Sequence, residues 1–269
     1  KGGVLVPQDV AGVVQQENYN EISGVPTDPV ALVDAAGNAS PVTLSIVAGA
    51  GTSSTGTGLD TADHALLQGY IHNNNTASLD VTLAGVPPGN YALILYTMGF
   101  NFNTKYDQTA NLVGAQAYPP IAYTAQHAGQ YNGAYVRAVA GTGETRALGN
   151  YVEFEGIGPA VDGTLTLSIT SEATDLLGTG APGLTVAPAL NGFELIKIVP
   201  VVKPPKLGVP TTDAGGVSFA WTGGTGPFKV QFKSHLTDAW GDLATTPNKT
   251  YTAPATAAAG FFRVVDTGN

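Results

Sequence analysis

The stretch Ser78-Leu-Asp-Val-Thr-Leu-Ala-Gly-Val-Pro-Pro-Gly-Asn-Tyr-Ala-Leu-Ile-Leu-Tyr96 decides the fold class. Its first six residues alternate polar and apolar, the period-2 signature of a strand with one buried face. Pro87-Pro-Gly-Asn90 is turn chemistry, because the prolines fix φ and donate nothing to a ladder while Gly and Asn accept tight backbone geometry. Tyr91-Ala-Leu-Ile-Leu-Tyr96 then reads as a nearly continuous buried strand.

The same signals recur on either side. Val42-Thr-Leu-Ser-Ile-Val47 alternates, Tyr151-Val-Glu-Phe154 does so again, and the turn Asp162-Gly163 leads into Thr164-Leu-Thr-Leu-Ser-Ile169. Asn191-Gly-Phe-Glu-Leu-Ile-Lys-Ile198 closes the series. Only Thr61 to Ile71 reads as helix, with Asp63 as its candidate cap and Leu66, Leu67 and Tyr70 on one face. Short strands without alternating helices predict a sandwich, not a parallel α/β sheet. Its core is expected at Tyr91, Leu93, Leu95, Phe154, Leu165, Leu167, Phe193 and Leu195.

Pro200-Val-Val-Lys-Pro-Pro-Lys206 holds three prolines in seven residues and favours an extended spacer. Beyond it, Val217-Ser-Phe-Ala-Trp221, Phe228-Lys-Val-Gln-Phe232, Thr250-Tyr-Thr252 and Phe261-Phe-Arg-Val-Val265 form a second strand set. The prediction is therefore all-β: a jelly-roll-like β-sandwich over 1–199, a Pro-rich linker over 200–206, and a small immunoglobulin/fibronectin-III-like sandwich over 207–269. Trp221 and Trp240 are expected as core anchors of the small domain. Ala48–Gly58 and Ala253–Gly260 are low in complexity and read as flexible loops or turns.

Composition narrows the function classes. Of 269 residues, 43% are apolar and 12% charged, about half the usual charged fraction, and the formal charge is −9. Eleven scattered Lys and Arg give no electrostatic footprint for nucleic acid. No apolar run approaches the length of a membrane helix. The absence of Cys removes disulfides, thiolate catalysis and thiolate metal sites together. The start at Lys1-Gly-Gly-Val is expected to be a mature one, and with little Lys and much Thr and Asn it suggests an extracellular or cell-surface location. Sequons at Asn38, Asn74 and Asn248 carry little weight in a chain this rich in Asn and Thr.

Several segments carry a resemblance: Gly12-Val-Val-Gln-Gln-Glu-Asn-Tyr-Asn20, Ala65-Leu-Leu-Gln-Gly-Tyr-Ile71, Leu83-Ala-Gly-Val-Pro-Pro-Gly-Asn-Tyr91, Asn150-Tyr-Val-Glu-Phe154 and Asn191-Gly-Phe-Glu-Leu-Ile196. Together they resemble a β-sandwich module of large secreted and surface proteins of Verrucomicrobia and Planctomycetes, often found beside exosortase-type sorting signals. Gly226-Pro-Phe-Lys-Val-Gln-Phe232, Leu236-Thr-Asp-Ala-Trp240 and Gly260-Phe-Phe-Arg-Val264 resemble a fibronectin-III-like module of the same proteins. The resemblance implies architecture and secretion and says almost nothing of activity. Tyr19 departs from it, where such modules more often carry Trp. So does the aromatic, Gln/Asn-rich stretch Asn101 to Arg146, read as a long exposed insert onto which function is grafted.

Catalytic patterns are missing from the sequence: there is no His-x-His, His-Glu-x-x-His, Gly-x-Ser-x-Gly or P-loop, and no enzyme is expected. His64, His72, His127 and His235 read as polar surface residues. Glu153 and Glu155 share a strand face, either as an acid/base pair or, more simply, as solvent-facing residues around a buried Phe154. Asp60 and Asp63 are candidate oxygen ligands for a structural Ca²⁺, and no other cofactor is expected. Tyr106, Tyr118, Tyr123, Tyr131 and Tyr135, with Asn103 and Gln130, are candidates for an interface or glycan-binding surface; the remaining reading is that they cover the sandwich. The expected function is a non-catalytic structural subunit that packs against copies of itself or other cell-surface proteins. The alternative is a carbohydrate-binding module with a polysaccharide partner. Lys1–Val14 is weighed as either an intermolecular strand or a segment of its own core.

Overall fold

The computed structural model describes residues 4–49, 51–54, 61–73, 77–98, 105–126, 131–138, 148–171, 187–199, 204–213, 215–254 and 260–267. Among them the chain is an all-β sandwich protein with one short helix, and no helix is long and apolar enough to cross a membrane. It divides into two compact units, Lys1–Ile198 and Val199–Asn269.

The first unit runs β1 (Val30–Val33), β2 (Ala39–Val47), β3 (Gly51–Ser54), α1 (Ala62–Gln68), β4 (Gly69–His72), β5 (Leu79–Ala84), β6 (Tyr91–Tyr96), β7 (Lys105–Val113) and β8 (Ile121–Gln126). It continues with β9 (Leu148–Gly149), β10 (Tyr151–Ile157), β11 (Leu165–Ser171), β12 (Ala189–Leu190) and β13 (Gly192–Lys197). A large sheet has the order β1-β2-β5-β11-β7-β8-β9, a small sheet β10-β6-β13, and a third β12-β4-β3. From β5 to β7, and again from β10 through β11 to β13, the chain steps between the large and small sheets, as jelly-roll winding does. In the middle of the large sheet Leu79, Val81 and Leu83 sit opposite Ile169, Leu167 and Leu165. Together they make one aliphatic wall of the core.

The unbroken apolar run of β6 has a direct cause. Tyr91, Leu93 and Leu95 pack in the core toward the large sheet, while Ile94 and Tyr96 pack on the other side, with Leu66 and Leu67 of α1 and with Leu5 and Ala11 of the N-terminal segment. A strand covered on both faces needs apolar side chains at every position.

Several expectations change in the first unit. The stretch Asn101 to Arg146 is not simply an exposed insert: it supplies β7 and β8, and β7 is an interior strand of the large sheet. Its alternation was hidden because Gln108 takes an inward position, accepting from the Tyr123 hydroxyl at 3.1 Å and the Ala189 N–H at 3.3 Å. The low-complexity stretch Ala48–Gly58 contains β3, which pairs with β4. The helix is capped by Thr61, whose Oγ1 accepts from the His64 N–H at 3.1 Å, so Asp63 is left for another task. Phe193 and Leu195 are only partly buried, unlike the other expected core residues.

The second unit holds β14 (Lys206–Leu207), β15 (Thr211–Asp213), β16 (Gly216–Thr222), β17 (Phe228–Lys233), β18 (Gly241–Thr246), β19 (Thr250–Ala253) and β20 (Phe261–Asp266). β14 and β15 pair with successive parts of β16, which also pairs with β19; the other sheet is β18-β17-β20. Trp221 anchors the core edge-on to Phe228, with ring centroids 5.4 Å apart. Trp240 does not join that core. It lies beside the Lys233 ammonium at 4.8 Å and the Arg263 guanidinium at 4.4 Å, both on the opposite side of the sheet from Phe228 and Val230.

Candidate functional site

Strand alternation puts polar chemistry into the apolar layer under α1. In β13, Phe193 and Leu195 turn toward the large sheet, so Glu194 and Ile196 turn the other way. The Glu194 carboxylate is thereby 98% hidden, with 2% relative exposure. A buried carboxylate without partners is very unfavourable, and this one has three. The Tyr19 hydroxyl donates to it, the Val14 N–H reaches it at 3.4 Å, and the Tyr96 hydroxyl hydrogen-bonds it as well. The Tyr96 oxygen in turn accepts from the Val13 N–H at 2.7 Å.

Asp63, in the first turn of α1, completes the arrangement. Its Oδ1 accepts from the Gly12 N–H at 2.9 Å and from the Tyr135 hydroxyl at 2.8 Å. Three successive backbone N–H groups, Gly12, Val13 and Val14, thus go to Asp63, Tyr96 and Glu194. They belong to a tight loop closed by paired bonds between Ala11 and Gln16, each 3.1 Å. Gly12 is required there. Its φ is +97°, and a Cβ would overlap both the Glu194 carboxylate and the Tyr19 hydroxyl.

Burial pushes the Glu194 carboxyl above the usual range, and the Asp63 charge adds to this, while Tyr19, Tyr96 and the Val14 N–H pull it back. Burial also pushes the hydroxyls of Tyr19, Tyr96 and Tyr135 far up, and the facing carboxylates reinforce it. Tyr131, beside Asp63, is pushed up to about 12 by the same causes. The phenols of Tyr19, Tyr96 and Tyr135 therefore stay protonated and donate to the two carboxylates. The chemistry available is a polar clamp: two carboxylates and a set of phenols fastening the N-terminal loop to β6, β13 and α1.

Of the residues singled out in the sequence, the structure brings Asp63, Tyr131 and Tyr135 to this clamp. Tyr131 and Tyr135 have ring centroids 5.7 Å apart, and Tyr135 lies 5.5 Å from Tyr96. Tyr123 is fully buried in the main core and cannot serve as a surface contact. The Tyr118 hydroxyl accepts from the Gly158 N–H at 2.7 Å and so staples the segment after β7 to the end of β10. Asp60, Asn103 and Gln130 lie outside the described residues, as does the Tyr106 side chain. Asp63 is committed to Tyr135 and Gly12, and among the described residues no group of three His, Asp or Glu side chains could hold a metal ion.

Glu153 and Glu155 do share a face, and both pair with Arg137, at 3.0 and 2.9 Å. His64, expected at the surface, is buried and stacked 6.3 Å from Tyr131. The sequence does not single out Tyr19, Glu194 and Gly12 as site residues, since their meeting depends on contacts up to 180 residues apart. The one available signal was Glu194, a charge at the centre of an otherwise apolar strand. No family model matches the chain, and no curated protein matches it closely enough to count as a relative.

Proposed function

We propose that this protein is a non-catalytic extracellular structural module that packs against copies of itself through its N-terminal segment. The observation that carries this reading is the two-sidedness of that segment. Leu5 and Ala11 are buried and the loop after them is clamped, while Val4, Val6, Val10 and Val14 stay 57, 45, 45 and 45% exposed. Apolar side chains held outward on a pinned segment suit a contact surface better than an unanchored arm. The low charge and the resemblance to surface-protein modules support the location and the assembly alike. The commitment of both carboxylates, the partly buried Asp63 and the buried Glu194, to the chain's own donors supports the absence of catalysis.

The test is light scattering coupled to size exclusion on the wild type and on Val6→Asp/Val10→Asp. The wild type should form higher-mass species as concentration rises, and the double variant should stay monomeric with unchanged thermal stability. A wild type that stays monomeric, or a variant that assembles equally well, contradicts the reading.

A second reading, carbohydrate binding, is favoured by one observation. Trp240, flanked by Lys233 and Arg263, offers an aromatic and hydrogen-bonding surface on the β18-β17-β20 sheet. Pull-down by insoluble polysaccharide that is lost in Trp240→Ala would establish it, and absence of pull-down would remove it.

A further inference from the structure

The first unit contains a cleft of about 930 Å³ between its two main sheets. One wall is the inward row Val42, Leu44 and Ile46 of β2 with Leu32 of β1; the other is Phe193 and Leu195 of β13. Its presence accounts for the partial burial of Phe193 and Leu195. Protein interiors pack to crystal-like density and leave few gaps larger than a water molecule, so a cleft of this size is a built feature, not slack packing. Its volume falls within the roughly 300–1,000 Å³ of small-molecule sites.

A strap fixes the width of the mouth. Tyr19 is tied by its hydroxyl to Glu194 on the small sheet. The next residue, Asn20, is tied to the large sheet: its amide donates to the Val33 carbonyl at 2.9 Å and accepts from the Val33 N–H at 2.8 Å. Asn18, in the left-handed region at φ 57°, adds a bond to the Ala35 carbonyl at 2.9 Å. Adjacent residues anchored to opposite sheets act as a spacer across the opening.

We propose that this strapped cleft binds an elongated, uncharged amphiphile: an apolar chain between the sheets and a neutral, hydrogen-bonding head at the strap. The walls suit the chain, since aliphatic and aromatic side chains supply most of the lining. The mouth selects the head by charge. Glu17, Glu21 and Asp34 line it against a single ammonium, Lys197, so an anionic head meets net repulsion.

Fluorescence titration of the full chain with N-phenyl-1-naphthylamine tests this, with displacement by dodecanol and by dodecanoate. Saturable binding at one probe per chain is expected, with dodecanol displacing it about tenfold better than dodecanoate. Val42→Trp and Leu32→Trp each fill the cleft from a partly buried position and should weaken probe binding about tenfold or more, with unchanged circular dichroism. Two variants guard against one failing to fold. Absence of saturable binding, or folded variants that bind like the wild type, overturns the site. Displacement by dodecanoate as good as by dodecanol overturns the neutral head.

Discussion

Glu194 carries the most consequence of any single residue. Its carboxyl is raised by burial, so the folded state holds its proton to higher pH than the unfolded chain does. The stability this contributes is fully present below the ordinary carboxylate value and is lost as pH rises through the raised folded value. Glu194→Gln keeps an acceptor for Tyr19 and removes the ionisation. The difference in melting temperature between the variant and the wild type should therefore move in the variant's favour as pH rises from about 4 to 8, measured by thermal melts at matched ionic strength. A pH-independent difference contradicts the assignment. Glu194→Ala is different, because it removes the acceptor of the Val14 N–H and leaves the Tyr19 hydroxyl only the Ala11 carbonyl; it should cost about 1–3 kcal/mol in denaturant unfolding. Gly12→Ala meets both a left-handed φ and two occupied polar atoms, and should cost about 2 kcal/mol or more.

Among the elements, β6 and β13 show how much of the fold follows from pattern. The run Tyr91–Tyr96 is read from sequence with its observed bounds, because an all-apolar strand between turn residues has few alternatives. Leu95, fully buried, should lose about 2–5 kcal/mol on Leu95→Ala. Phe193 is only partly buried, so Phe193→Ala should fall below the about 3–5 kcal/mol of a fully enclosed phenylalanine. Urea unfolding of both checks the order; an equal or larger loss at Phe193 contradicts the partial burial.

What the sequence conceals has equally local causes. β7 was concealed by Gln108, a polar side chain satisfied inside the core by two partners distant in sequence. β18 carries mostly exposed residues and gives little hydrophobic signal. Trp240 looked like an anchor by its size alone, yet cation–π contacts let a large ring sit on an outer sheet face. The clamp was illegible for a different reason. Alternation in β13 shows which way Glu194 points, but only the fold shows that the N-terminal loop arrives there.

At the scale of the whole molecule, the polar cluster of Asp63, Tyr96, Tyr19 and Glu194 holds the N-terminal segment to its own fold and leaves that segment's valines facing outward. Were the segment instead an arm exchanged between copies, its loop amides would be unprotected in a dilute monomer. Native-state hydrogen exchange on the monomeric full chain, read at Gly12, Val13 and Val14, decides this most directly. A clamped loop gives slow exchange at all three, comparable to the amides of β6, and faster exchange at Val13 and Val14 in Glu194→Ala. Exchange of the three amides at the rate of an unstructured peptide, with β6 protected, would contradict it.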